Sequence, residues 1–420
     1  MNALIKLTLK SLFNRRLTVT LCLLSIMLST TLFVGVEKLR NGAKEGFTNT
    51  ISGADLLVGA RSGPLQLLLY SVFHMGRPTN NMKYSSYQSI AEHHYTQWSI
   101  PLSLGDSYRG HRVVGTNENF FEHYRFGAEG KKITFRSGVQ FKETYDVVIG
   151  AQVASKFNHS VGQKIVLSHG VAEESLYHHE DTPYQIVGVL APTGTPLDRA
   201  VFITLEGMEA MHFGWESGVP DPENVSNKKL KRDEIEVEQI TAMILKSRSR
   251  IFTLHQQRMI ADFQQEPLMA VIPALALQDL WELMGAVESI LFAISFCVLL
   301  VGLIGVFISL YTSLSSRRRE IAILRSIGVG PFGIMFLLTF ESLIMVLSGG
   351  LLGILSLYLA VNFLRPYLAE AFSLYVPVYR LESFEVQYIV LISIASLIIG
   401  IIPAYKAFKN SLQDGLAITS

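Results

Sequence analysis

Residues 315–328 read SSRRREIAILRSIG, and this basic stretch decides how the rest of the chain is interpreted. Long apolar segments lie on both sides of it, at 289–314 and 332–364, and each exceeds the roughly 20 residues that a helix needs to cross a bilayer. Because Lys and Arg near the ends of such segments favour the cytoplasmic side, the stretch is predicted to be cytoplasmic. As a helix it would place Ile321, Leu324 and Ile327 on one side, as in a helix that binds in a partner's groove. The alternative is a basic loop that only fixes the topology.

The composition is typical of a membrane protein, since hydrophobic residues make up 49% of the chain and charged residues only 17%. Two further segments, 17–36 and 386–404, are apolar enough to span a bilayer, which gives four predicted spans. The first is interpreted as a retained anchor, because it is longer than a signal-peptide core and no small-residue cleavage site follows it. Basic residues flank the spans on the side that places both termini in the cytoplasm.

The segment between the first and second spans, 37–288, has roughly 250 residues and is large enough for one or two folded domains. Turn residues separate short β-rich and helix-rich stretches, which predicts a mixed α+β domain. The predicted strands are 146–150, 160–167, 184–190, 200–203 and 241–247, and the predicted helices are 151–157, 205–211 and 251–264. Both cysteines, Cys22 and Cys297, lie in predicted spans, so we expect neither a disulfide nor a thiolate metal site in this domain.

The segment 64–76 is apolar nearly all round but too short to span a bilayer. One interpretation is a buried helix of the domain. The other is a helix near the membrane that lines the route by which an amphiphilic substrate leaves the bilayer.

All eleven histidines lie within 37–288. The run His178, His179, Glu180 and Asp181 offers imidazole and carboxylate groups that suit zinc. Adjacent residues on a loop rarely reach one ion without a distant ligand, so a structural or solvated role is expected and a metal role stays open as the alternative.

Charged and small residues inside the predicted spans are candidates for helix contacts. A charge within a span is costly unless it is compensated, so Glu341 is expected to pair with an Arg of residues 315–328 or with the N-terminal basic segment rather than to relay protons. Gly302 with Gly305, and Gly349 with Gly353, would allow close helix packing, either within one subunit or between two copies.

The sequence contains neither the G-x-x-x-x-G-K-[ST] phosphate loop nor a pattern typical of a catalytic triad or metalloprotease helix. We therefore expect that this chain has no catalytic residues and does not hydrolyse ATP. The net charge of +1 gives no indication of a nucleic-acid partner.

Three motifs in order resemble those of FtsX-like and MacB-type ABC-transporter permeases, a superfamily that includes the lipoprotein-releasing LolC and LolE. RREIAILRSIG (318–328) is similar to the family's R-x-R-E-I-G-x-x-R-A-x-G, and Glu341 followed by GGLLGI (349–354) is similar to E-x-(7)-G-G-x-x-G-x. PAYKAFKNSLQDGL (403–416) resembles P-A-x-x-A-x-x-x-x-P-x-x-A-L but has Leu412 for Pro and Gly415 for Ala. Residues 146–211 also resemble the MacB-like periplasmic core.

The resemblance implies a multi-pass permease of the bacterial inner membrane, with four transmembrane helices and an α+β periplasmic domain between helices 1 and 2. The predicted domains are a cytoplasmic amphipathic segment (1–16), the first span (17–36), the periplasmic domain (37–288), the second span (289–314), a cytoplasmic coupling helix (315–330), the third span (332–364), a short periplasmic loop (365–385), the fourth span (386–404) and a cytoplasmic tail (405–420). The residues expected to couple to an ATPase are Arg317, Arg318, Arg319, Glu320, Ile321, Leu324, Arg325, Ile327 and Gly328.

The resemblance also implies partners and a mechanism. ATP and Mg would bind to a separate ABC ATPase subunit, with no cofactor in this chain, and the permease would work as a homodimer or heterodimer with a periplasmic adaptor or carrier. ATPase motion would be transmitted to the periplasmic domain (mechanotransmission) to export or extract an amphiphilic or periplasmic substrate. Two alternatives stay open, namely an FtsX-like scaffold that regulates a periplasmic enzyme without transport, and the handling of a metal or metal–protein complex.

Overall fold

The computed structural model describes residues 13, 15–48, 50, 53–127, 129–168, 183–212, 230–316, 323–324, 326–372 and 382–413. The chain divides into two compact units. The first, called here the membrane unit, comprises Met1–Gly42, Gly285–Pro366 and Val376–Ser420. The second, the sheet unit, comprises Ala43–Met284 and Tyr367–Tyr375.

The elements follow one another in this order along the chain. They are α1 (Arg16–Thr48), β1 (Leu56–Ala60), α2 (Pro64–Ser71), β2 (Met82–Lys83), α3 (Tyr84–Ala91), β3 (Thr96–Tyr108), β4 (His111–Thr116), α4 (Asn119–His123), β5 (Arg125–Phe126), β6 (Lys131–Lys132), β7 (Phe135–Gly138), β8 (Asp146–Ile149), α5 (Ala151–Phe157), β9 (Lys164–Ile165), β10 (Tyr184–Leu190), a 3-10 helix (Pro196–Arg199), β11 (Val201–Thr204), α6 (Leu205–His212), a second 3-10 helix (Arg232–Glu234), β12 (Gln239–Ile240), β13 (Ala242–Ser247), α7 (Arg250–Ala261), β14 (Leu268–Val271), α8 (Pro273–Ser316), α9 (Pro331–Phe372) and α10 (Ser383–Gln413).

Four helices of the described chain are long and apolar enough to cross a membrane, and their candidate spans are Arg16–Gly42, Pro273–Thr312, Phe332–Leu364 and Ser383–Pro403. The predicted fold class, four transmembrane helices with a mixed α/β domain inserted after the first, is confirmed. The helices themselves are longer than the apolar segments. Helix α8 begins at Pro273, well before residue 289, because proline is tolerated in a helix's first turn and the Ala and Leu residues that follow it favour a helix.

Helix α1 packs against the other three helices of the membrane unit. The Phe33 ring lies 5.6 Å from the ring of Phe292 on α8 and 5.0 Å from the ring of Tyr388 on α10. The Thr31 hydroxyl on α1 donates to the carbonyl oxygen of Gly353 on α9, at 3.0 Å. The core of this unit is therefore built around α1.

Three of the four glycines predicted to pack helices do so within this chain. A Cβ added to Gly302 would lie 2.8 Å from the Ser29 hydroxyl, and one added to Gly349 would lie 2.8 Å from Ile26. A Cβ at Gly353 would lie 2.6 Å from the Cβ of Thr30. All three contacts are made to α1. Gly305 differs, since a Cβ there would meet no described atom within 4 Å.

The sheet unit contains a ten-stranded mixed sheet in the order β14-β1-β13-β3-β4-β11-β8-β10-β7, with β9 paired to β10. The pairs β8–β10 and β4–β11 are parallel, and the other pairs in this sheet are antiparallel. The long strand β3 joins the two halves, and its register shifts between Leu104 and Ser107, where a bulge bends the strand. Apolar side chains on both faces are buried, so the sheet is covered by helices and loops on both sides.

The strands and helices predicted in this unit largely match the structure, with differences at their ends. Helix 151–157 and strand 184–190 are found as predicted, and within 160–167, where a turn followed by a strand is predicted, the strand is Lys164–Ile165. The apolar segment 64–76 contains α2, and its Leu67 and Leu68 are fully buried in the core of the sheet unit. This burial supports a helix of the domain core rather than a route for an amphiphile.

Candidate functional site

The basic connection between α8 and α9 is described in part. Helix α8 ends at Ser316 and α9 begins at Pro331. Six of the predicted coupling residues lie outside the described residues, and they are Arg317, Arg318, Arg319, Glu320, Ile321 and Arg325. In the described remainder, Ile323, Leu324 and Ser326 belong to a helical turn.

Gly328 ends that helical turn. The Val329 amide donates to the carbonyl oxygen of Leu324 at 3.0 Å, and Gly328 has a φ of 95°. A left-handed glycine with this hydrogen bond is the Schellman arrangement that terminates helices, and a residue with a Cβ is strained there. Gly328 therefore fixes the point at which the chain turns towards α9.

Two isoleucines of the connection are exposed although they lie outside the candidate spans. Ile323 is 58% exposed and Ile327 is 75% exposed, whereas Leu324 is half-buried. Residues four apart lie on one face of a helix, so Ile323 and Ile327 form an apolar pair. The structure thus places Ile323, which the sequence pattern did not single out, beside Ile327, while Leu324 faces the protein.

Glu341 is buried and lies beside a cation of the N-terminal segment. An Nη of Arg15 is 3.6 Å from Oε1 of Glu341, whose side chain is only 3% exposed. The carboxylate belongs to the span of α9, and Arg15 immediately precedes α1. The proximity of the guanidinium compensates part of the cost of a carboxylate at this depth.

A second buried charge cluster joins α1, α9 and α10. The Lys38 ammonium donates to Oε1 of Glu385 at 2.9 Å and to the Tyr358 hydroxyl at 3.0 Å. The Tyr358 hydroxyl in turn donates to Oε2 of Glu385 at 2.9 Å. The side chains of Lys38 and Glu385 are 4% and 3% exposed, and Glu382 adds a second carboxylate 3.6 Å from the ammonium.

A partial signal for this cluster is present in the sequence. Lys38 and Glu385 flank two apolar segments, but a Lys at the end of a span ordinarily extends its ammonium to water. Only the fold shows that this one points into the protein. A third pair, Arg40 with Glu288 at 3.6 Å, joins α1 to α8 and is more exposed.

The predicted metal ligands His178, His179, Glu180 and Asp181 lie outside the described residues. Within the described part of the chain, no group of three or more His, Cys, Asp or Glu side chains is arranged to hold a metal ion. Both cysteines are free thiols in α1 and α8.

Comparisons with known proteins add two family matches. The MacB-like periplasmic core domain matches residues 19–245, and the FtsX-like permease C-terminal domain matches residues 292–412. No curated protein sequence matches the chain significantly.

Two solved structures resemble the sheet unit at low similarity. The periplasmic region of MacB from Actinobacillus actinomycetemcomitans has 11% identity and a TM-score of 0.34, and the match covers 55% of this chain and 94% of that one. The extracellular domain of the noncanonic ABC-type transporter YknZ from Gram-positive bacteria has 11% identity and a TM-score of 0.30, covering 52% of this chain and 99% of that one.

The assignment rests on the family models, one of which matches more than half of the chain. The order of their domains also agrees with the fold, since the periplasmic core model covers most of the sheet unit and the permease model covers the last three spans. The chain therefore belongs to the MacB/FtsX-type family of ABC-transporter permeases.

Proposed function

We propose that this chain is a permease subunit that transmits the motion of a separate ABC ATPase through its membrane unit to the sheet unit. The observation that carries the proposal is the attachment of α1 to the other helices at both ends. Arg15 pairs with α9 at one end, and Lys38 pairs with α10 and bonds to α9 at the other. Ion pairs and close glycine contacts hold the helices in one arrangement, so the unit should move as a body.

The basic connection supplies the contact for the ATPase in this proposal. Ile323 and Ile327 lie between the candidate spans, so lipid does not account for their exposure. An exposed apolar pair within a basic helix-forming stretch suits a groove on a partner protein. In this proposal, ATP and Mg would bind to the ATPase partner and not to this chain.

The complex that we propose contains two permease copies, alike or different, and two ATPase subunits in the bacterial inner membrane. Both termini and the basic connection would be cytoplasmic, and the sheet unit would be periplasmic, because the basic residues lie at the corresponding span ends. Its substrate would be amphiphilic or periplasmic and would be taken up outside the cytoplasm, with a periplasmic adaptor or carrier receiving it.

The contact is tested by placing charge on the exposed pair. Ile323→Asp with Ile327→Asp should abolish co-purification of the ATPase, because an unpaired carboxylate in an apolar contact costs more than a neutral polar group, for which the cost is already roughly 2–7 kcal/mol. Ser326→Asp is the matched control, since Ser326 is exposed in the same turn but is not part of the apolar pair. ATPase binding and stimulation that survive the double substitution would contradict the proposed contact.

A further inference from the structure

The membrane unit contains an open, shallow crevice between α1 and α8, with a cavity volume of about 40 Å³. Its apolar part is formed by Phe33 and Val36 from α1 and by Leu291 and Phe292 from α8. Its polar part is formed by Glu37, Arg40 and Glu288. This volume is far below that of pockets that enclose a drug-sized ligand, roughly 300–1,000 Å³, so a ligand here would lie along the open crevice and not within it.

The polar residues of both helices lie at the same end of the crevice. Ser29 bonds to the carbonyl of Val298 while Arg40 pairs with Glu288, so α1 and α8 run antiparallel. The charged residues come after the apolar ones in α1 and before them in α8, and both sets therefore lie at one end of the crevice. Seven residues separate Phe33 from Arg40, about 10 Å along a helix.

This order matches the boundary of a bilayer. The charged end lies where the apolar segments 17–36 and 289–314 stop, at the depth of lipid headgroups, and the apolar end lies at the depth of acyl chains. Leu291 and Phe292 are 42% and 56% exposed, so the apolar end opens sideways to lipid. A water-soluble ligand would gain no binding energy from the apolar half of the crevice.

The polar end of the crevice has more negative than positive side chains. Arg40 bonds to Glu37 at 2.7 Å, whereas its distance to Glu288, 3.6 Å, is too long for a hydrogen bond. The crevice thus has two carboxylates and one guanidinium, and the Glu288 side chain, 28% exposed, is open to a further donor. A ligand that brings one ammonium near Glu288 and one phosphate near Arg40 would complement this set.

We propose that the crevice binds one phospholipid with a primary-ammonium headgroup from the surrounding bilayer. The ammonium would donate to Glu288, the phosphate would accept from Arg40, and one acyl chain would lie against Phe33 and Phe292. A quaternary ammonium lacks the N–H donors for Glu288, and an anionic headgroup would meet its carboxylate, so both bind less well. Lipid binding here does not depend on the proposed contact with an ATPase, and each can fail without the other.

Native mass spectrometry of the full chain, freed of lipid in detergent, tests this assignment. Phosphatidylethanolamine should form a one-to-one adduct, on the order of tenfold tighter than phosphatidylcholine or phosphatidylglycerol of the same acyl chains, since only its ammonium can donate a charge-assisted hydrogen bond to Glu288. Glu288→Gln should remove most of that preference. Glu282→Gln is the matched control, because it removes the same charge from the same helix outside the crevice and should leave the preference intact.

A second variant tests the apolar half. Val36→Phe fills the crevice from the α1 side and should weaken the adduct of phosphatidylethanolamine while α1 stays folded. Equal binding of the three lipids, or a preference that survives Glu288→Gln, would show non-specific annular lipid and overturn the proposal. Displacement of the lipid by an equal concentration of glycerophosphoethanolamine would also overturn it, because the headgroup alone would then be sufficient.

Discussion

Lys38 is the residue at which the membrane unit differs most from an ordinary bundle of apolar helices. Its ammonium lies within 3.6 Å of the Tyr358 hydroxyl on α9, of the Glu385 carboxylate on α10 and of the Glu382 carboxylate just before α10. Removing one member of a buried ion pair leaves the other charge unpaired, which costs far more than the pair itself contributes. The cluster therefore specifies which helices stand next to one another more than it adds to stability.

Lys38→Met should lower the stability of the purified protein by about 3–5 kcal/mol, because it leaves Glu385 buried without its cation. Lys38→Met with Glu385→Gln should recover most of that loss, since both charges are then gone. Thermal unfolding of the four proteins of this double-mutant cycle measures the coupling. Additive losses in the double variant would mean that the two side chains do not act as a pair.

His111 gives the sheet unit a pH dependence. Its ring is buried at the start of β4, with Nδ1 3.0 Å from the carbonyl oxygen of Arg199. Burial lowers the pKa of His111, and Lys156 and Arg199 lower it further, although the hydrogen bond opposes them. The unfolded chain, whose histidine pKa is near 6.5, then binds more protons than the folded one, so stability falls as the pH drops below about 6.5.

The measurement is the unfolding temperature of the full chain between pH 7.5 and pH 5. His111→Gln keeps a polar side chain that does not titrate, so its unfolding temperature should fall less over this range than that of the wild type. The same slope in both proteins would show that His111 does not carry the pH dependence.

At the scale of elements, the contacts of α1 with α9 depend on the lack of a side chain at Gly353. A Cβ there would lie 2.6 Å from Thr30 Cβ and 2.8 Å from the carbonyl oxygen of Met27, so the backbones must separate to admit one. Gly353→Ala should destabilise the membrane unit by about 1–3 kcal/mol through overpacking. Gly305→Ala, where nothing lies within 4 Å, should be neutral or slightly stabilising. Equal unfolding temperatures for the two variants would contradict this packing.

How far the sequence predicts these elements depends on the range of the interaction. Four spans follow from length and apolarity, which are local, and the glycine spacing indicates which residues pack closely. Which residue each of them contacts depends on the fold. Lys38 and Glu385 are 347 positions apart, and each alone resembles a residue that flanks a span. The start of α8 at Pro273 was missed because polar residues interrupt the apolar pattern before the predicted span, and these are Gln278, Asp279, Glu282 and Glu288.

The basic connection shows the same limit for residues that are close in the sequence. Helical spacing allows either Leu324 or Ile323 to share a face with Ile327, because residues three apart and residues four apart are both neighbours on a helix. Burial of Leu324 and exposure of Ile323 decide between the two, and burial depends on what surrounds the turn. Gly328, by contrast, was recognised from its position in the motif, and its positive φ gives the physical reason.

At the scale of the whole molecule, we propose that the four-helix unit moves as a body and transmits the motion of an ATPase to the sheet unit. The division into two compact units and the ties of α1 to its three neighbours support such a movement. Export of a substrate and control of a periplasmic enzyme would both require this motion.

The most direct test measures two distances by pulsed electron–electron resonance in the permease–ATPase complex, with Cys22 and Cys297 replaced by Ser. One spin-label pair, at Leu39 and Leu364 of the same chain, reports on α1 and α9 within the membrane unit, where both side chains are exposed. The other, at exposed Glu92 in each of two copies, reports on the sheet units. ATP binding should change the Glu92 distance by several Å, on the scale of domain rearrangements, and leave the Leu39–Leu364 distance unchanged. A constant Glu92 distance, or a change within the four-helix unit alone, would contradict transmission of ATPase motion by this chain.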